Sequence, residues 1–64
     1  MGYNIRTVRE SMGMTQEQLS EKSSVSRAII SGLESGTITV TTTKTLEKIA
    51  NAMGVKVSTI FFDD

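Results

Sequence analysis

A chain of 64 residues with neither cysteine nor histidine must draw its stability from one small core, with a second subunit as the remaining source of help. Disulfides are impossible, and a metal site of the usual Cys/His kind is excluded with them. A chain this short buries about 60% of the surface that its unfolded form exposes, so each apolar side chain has to be well placed. One domain spanning residues 1–64 is all that such a length supports. Apolar residues make up 38% of the chain, too many for a disordered segment. No apolar run approaches the roughly 18 residues of a membrane span, and no signal-peptide pattern is visible. The missing cysteines fit a reducing, cytoplasmic setting.

The apolar spacing is that of short helices. Ile5, Val8 and Met12 recur at i, i+3 and i+7, and Gly13 supplies a left-handed stop. Thr15 is a good N-cap for a second helix carrying Leu19, with Gln18 at the capping-box position. Ser23-Ser24 breaks that helix, and Ser26 caps a third with Ile30 and Leu33 inward and Gly36 as its stop. A fourth, from about Thr42, puts Leu46, Ile49, Ala50 and Met53 on one face and ends at Gly54. Val57 to Phe62 predicts a short fifth helix. Between the third and fourth, Thr37 to Thr45 holds six Thr in nine residues, alternating with Ile38 and Val40 as a strand would. A lone strand would have no partner, so a loop is expected, with Thr41 or Thr42 as the N-cap that follows it. The expected fold class is all-α: five short helices in one compact domain.

The most informative stretch is Gln16 to Glu34, QEQLSEKSSVSRAIISGLE. Two short helices meet across a tight turn, with Leu19, Val25, Ile30 and Leu33 facing a common core. Ser20 is small, which lets the helices approach where they cross. This is a helix-turn-helix arrangement, whose second helix can lie in the major groove of DNA. The same hairpin also arises in proteins that bind no DNA.

The wider chain resembles the phage-repressor/Cro-type (Xre-like) helix-turn-helix family over nearly its whole length. The resemblance rests on Ile5, Val8 and Arg9, on Gly13-Met14-Thr15-Gln16-Glu17-Gln18-Leu19, and on Val25-Ser26-Arg27 with Ile30. It continues through Leu33-Glu34-Ser35-Gly36, Thr45-Leu46-Glu47-Lys48-Ile49-Ala50, Gly54-Val55 and Ile60-Phe61. It implies a lambda-repressor-like five-helix domain and sequence-specific binding of double-stranded DNA, often as a symmetric dimer. It also implies that Gln16 touches phosphate, that Ser26, Arg27 and Ala28 open the recognition helix of about Ser26–Ser35, and that Arg9 pairs with Glu34 in a structural role.

Chemistry supports several of these roles and supplies competitors. The start of the helix at Gln16 offers free N–H groups and a positive dipole end to phosphate. Arg27 can bond bidentately to guanine, worth about 1–3 kcal/mol of discrimination, or it is a phosphate contact or a solvated cation. Ala28 can touch a thymine methyl, or it is simply a good helix former. Ser31 lies about one turn further along and is either a contact or merely exposed. Gly32 inside a helix costs about 1 kcal/mol relative to Ala, so something must come near it, either DNA or another part of the protein. Thr37, Thr39 and Lys44 can reach phosphates from the loop and the helix start after it. Arg6, Lys22 and Lys48 are expected on solvated faces.

The chain departs from the family pattern in three places. Ser24 stands where Gly is usual, at a turn that favours positive φ. The loop from Gly36 to Leu46 is one residue longer than the common pattern and lacks its Pro-Ser. The seven Lys and Arg are balanced by seven Asp and Glu, so any surface for DNA must be local.

At the far end, Ile60, Phe61 and Phe62 are adjacent on the expected fifth helix and cannot all enter one core. They are candidates for an isologous homodimer interface, placing two recognition helices on palindromic half-sites about 34 Å apart. A hydrophobic lid over the monomer's own core competes with that reading. The functional expectation is a transcriptional regulator, a repressor, with no cofactor, no membrane partner and no small-molecule ligand. A protein-binding module of the same fold, antitoxin-like, is the alternative, favoured by the neutral charge, Gly32 and the Phe pair. Catalysis is not expected, because no His or Cys exists and no carboxylate pair has acid/base spacing. The lone Tyr3 lies near a terminus expected to fray.

Overall fold

The computed structural model describes the backbone of residues 2–62 and the side chains of residues 2–61. Two residues of strand, β1 (Gly2–Tyr3), lead into five helices: α1 (Ile5–Ser11), α2 (Gln16–Ser23), α3 (Arg27–Ser35), α4 (Thr43–Met53) and α5 (Val57–Ile60). A second short strand, β2 (Phe61–Phe62), follows. The expected all-helical domain is therefore present, with the helix starts where the capping residues put them.

Three of those starts are closed by a hydroxyl. Thr15 forms the full capping box: its Oγ1 accepts the Gln18 N–H at 3.0 Å and its own N–H donates to Gln18 Oε1 at 2.8 Å. Ser26 Oγ accepts the Ile29 N–H at 3.2 Å, and Thr42 Oγ1 accepts the Thr45 N–H at 3.1 Å, so Thr42 is the cap of α4. Each such cap is worth about 1 kcal/mol. Ser24 does take the left-handed conformation, at φ 59°, that its place in the turn demands. Ser23 steadies this turn by accepting the Val25 N–H on its Oγ at 3.2 Å. Ser20 does more than save space, since its hydroxyl donates to the Val25 carbonyl at 2.7 Å and ties α2 to the start of α3.

The core is one cluster of Ile5, Val8, Leu19, Val25, Ile30, Leu33, Leu46, Ile49, Ala50, Met53 and Ile60. It contains every position assigned inward by the helical spacing except Met12, which is exposed at 45%. Met12 follows the last residue of α1, beyond the reach of that helix's apolar stripe. α2 packs on both α3 and α4, and α4 packs on α5.

The chain's two ends differ from expectation. The fifth helix stops at Ile60, and Phe61–Phe62 pair antiparallel with Gly2–Tyr3, in the register Gly2 with Phe62 and Tyr3 with Phe61. The Asn4 N–H donates to the Ile60 carbonyl at 2.8 Å just inside this ribbon. Tyr3 is thus no frayed residue. Its ring lies 5.7 Å from that of Phe61, tilted by 42°, and its hydroxyl donates to the Thr39 carbonyl at 2.9 Å. Aromatic side chains suit paired extended backbone better than a terminal helical turn.

Candidate nucleic-acid interface

The capped start of α3 presents Ser26, Arg27 and Ala28 to solvent, and Ser31 follows them on the same exposed side one turn later. The inward side of the helix, Ile30 and Leu33, is buried. Ser26 accepts a hydrogen bond as cap, which leaves its own hydroxyl proton free to donate outward. Among the described residues no carboxylate lies within 4.0 Å of the Arg27 guanidinium.

Gln16 opens α2 beside this face and is half-buried. One of its amide protons goes to Glu34 Oε1 at 3.1 Å, which fixes the side chain and leaves a second N–H for other partners. Glu34 is the hub of the arrangement. Arg9 grips it bidentately, Nε to Oε2 at 2.8 Å and Nη2 to Oε1 at 3.0 Å, while Arg9 Nη1 donates to the Met14 carbonyl at 2.7 Å. The Glu34 side chain is only 3% exposed. Burial pushes its carboxyl up, but hydrogen bonds from Arg9 and Gln16, with the charges of Arg9 and Arg6, outweigh burial and hold it below the usual carboxylate range. The hydrogen bond to Glu34 in turn raises the Arg9 guanidinium, burial opposing it. The Arg9–Glu34 pair therefore locks α1, the start of α2 and α3 into one rigid frame, as the resemblance implied.

Arg6 is on a solvated face, as expected, but it also borders the buried pair. It sits with its Nε 4.0 Å from Glu34 Oε1 and 3.9 Å from Glu10 Oε2, well exposed. With Gln16, Ser31, Glu34 and Ser35 it lines a small hollow of about 120 Å3 between α1, α2 and α3. The available signal was its position three residues before Arg9, on the same side of the first helix.

Of the two reasons for a glycine at position 32, the structure gives the second. Gly32 is buried, and a Cβ there would lie 2.5 Å from Cγ1 and Cδ1 of Ile38. The helix ends on Gly36 at φ 85°, and the Ile38 N–H returns to the Gly32 carbonyl at 2.9 Å. The loop of residues 37–42 is thereby folded back onto α3 with Ile38 inward and Thr37 and Thr39 exposed. Thr37 Oγ1 lies 2.9 Å from Ser35 Oγ. Lys44 is exposed in the first turn of α4. Gly32 thus leaves the set of surface candidates, because the loop covers it.

The C-terminal candidates divide as well. Ile60 is 0% exposed and belongs to the monomer's core, so it offers nothing to a partner. Phe61 is half-buried against Tyr3. The side chain of Phe62 lies outside the described residues. Beside Phe61 an open, mainly apolar cleft of about 250 Å3 is lined by Tyr3, Val40, Leu46 and Val57, with Val40 76% exposed. Among the described residues no helix is long and apolar enough to cross a membrane.

No curated protein and no solved structure gives a significant match to the chain. A family model described as Helix-turn-helix matches residues 5–60, from the first core residue of α1 to the last of α5. With the capped pair α2–α3, the buried Arg–Glu lock and this match in register, the chain belongs to the Xre-like helix-turn-helix family of DNA-binding regulatory domains, as in Cro and lambda repressor.

Proposed function

We propose that the protein is a sequence-specific repressor that lays α3 in the major groove of a palindromic site as a homodimer. One observation carries this reading: the outward side of α3, from Ser26 to Ser31, is open to solvent and rigidly held from behind by Arg9, Gln16 and Glu34. Arg27 reads a base edge, Ala28 and Ser31 lie against the groove, and Gln16, Thr37, Thr39 and Lys44 meet phosphate on either side. Selection of duplexes from a random pool tests it, since a base-reading Arg27 requires a constant guanine in each half-site. Arg27→Ala should relax that one position and lower specific affinity by about ten- to a hundredfold. A selected pool with no recurring half-site would overturn the reading.

The dimer forms through the ribbon end, with Phe61 and Phe62 as its apolar contacts. Sedimentation of Phe62→Glu should give a monomer where the parent is a dimer. An unchanged oligomer would remove this end from the interface. We place the protein in the cytoplasm, where a chain without cysteines loses nothing to reducing conditions, and we assign it no catalysis.

A protein-binding module of the same fold is the second reading. The neutral net charge and the apolar cleft beside Val40 favour it, whereas Gly32 no longer does. A gel shift at two salt concentrations separates the two, because only DNA binding weakens steeply with salt.

A further inference from the structure

The loop of residues 37–42 has no regular structure of its own, yet it is held at its start, middle and end. Ile38 fills the notch over Gly32 and bonds its carbonyl at the start, and Thr42 caps α4 at the end. The hold in the middle comes from outside this loop and the helices it joins. It is the Tyr3 hydroxyl, 36 residues away in sequence, donating to the Thr39 carbonyl. Tyr3 is itself located by pairing with Phe61 in the ribbon and by the contact of the two rings. With its carbonyl turned to Tyr3, Thr39 faces its side chain to solvent on the stretch that leads away from α3.

We infer that Tyr3 is a positioning residue for DNA binding: its hydroxyl fixes the loop in the form that meets the backbone of the duplex. The inference rests on the reading of this loop as a phosphate-facing segment. Its physical basis is the cost of ordering. When the Tyr3 hydroxyl is removed, water satisfies the exposed Thr39 carbonyl and the fold persists. The stretch between Ile38 and Thr42 is then free before binding and must be ordered during it, which weakens the complex. The loop facing DNA is in this way tied to the pairing of the chain's two ends.

Tyr3→Phe tests this, because it deletes one donor and keeps the ring against Phe61. In the free protein, the backbone amide NMR order parameters of Thr39 and Val40 should fall, while the melting temperature drops by only a few degrees. Unchanged order parameters would overturn the inference, whatever the protein binds. Affinity for a random-sequence duplex pool at low salt should fall about two- to tenfold, which is what one net hydrogen bond is worth. The same substitution in a Thr37→Ala/Thr39→Val background, which keeps the Thr39 carbonyl, should have little further effect. An undiminished effect there would mean that Tyr3 acts by another route. Failure of the parent protein to bind any duplex would instead sink the DNA reading, and the order parameters would still decide whether Tyr3 holds the loop.

Discussion

Glu34→Gln is the substitution whose effect the structure fixes most tightly. The parent carboxylate accepts three hydrogen bonds, two from Arg9 and one from Gln16. A glutamine of the same shape has to turn its NH2 towards one of those oxygens' positions, so at least one donor meets a donor. The Arg9 cation, 8% exposed, is left without its counter-charge. Removing one partner of a buried pair costs about 3–5 kcal/mol. A domain of this length has about 3–10 kcal/mol in all, at the usual stability per residue. Glu34→Gln should therefore cost between a third and all of the stability, seen as a large drop in the urea midpoint by circular dichroism. Replacing both partners, Arg9→Met with Glu34→Leu, should recover much of it. Recovery stays incomplete because the Met14 carbonyl loses its Arg9 donor. Acid supplies a second check. The Glu34 carboxyl titrates lower in the folded state than in the unfolded chain. Its contribution is thus complete above the ordinary carboxylate range and is lost as pH falls through the lowered folded value. The parent should lose stability below about pH 4, and Glu34→Gln should flatten that acid slope. A loss under about 1 kcal/mol, or an acid slope identical in the two proteins, would refute the claim that this pair holds the frame.

Two further substitutions probe the backbone. Ser24→Gly should raise stability by about 0.5–1 kcal/mol in urea titrations, since it relieves a left-handed conformation at an exposed position; a loss would show that the Ser24 side chain contributes to the turn. Gly32→Ala should be destabilising by up to about 2 kcal/mol even though Ala is the better helix former, because its Cβ displaces Ile38. In an Ile38→Ala background the same change should become neutral or favourable, and strict additivity of the two would contradict the contact.

How much was legible in the sequence follows from the range of each signal. Helix starts at Thr15, Ser26 and Thr42 depend on a hydroxyl and an amide three residues on, so local chemistry reveals them. The inward positions of α2 to α4 were equally plain, because a helix that packs on one side repeats its apolar residues at a fixed interval. The Arg9–Glu34 pair lay beyond such reasoning, being 25 residues apart, and came from resemblance alone. The ribbon left no trace, since two-residue strands show no alternation and their partners lie at opposite ends of the chain. Gly32 signalled that something approaches but not what, and only the folded loop identifies Ile38. The exposure of Arg6 was legible but its place beside Glu34 was not, because a charge on the first helix carries no mark of which other helices meet beside it.

The ribbon also bears on the order in which the molecule assembles. The helix–helix packing joins neighbours or next neighbours along the chain, α2 with α3 and α4 and α4 with α5, whereas Gly2 and Phe62 enclose nearly the whole chain between them. Bringing such distant ends together is entropically unfavourable, and a pair of two-residue strands cannot drive it unaided. The ribbon should therefore zip only after the helices have gathered its halves, and on warming it should be the first part to unzip. Tyr3 would travel with it, so the segment beyond α3 should slacken while the helices are still intact.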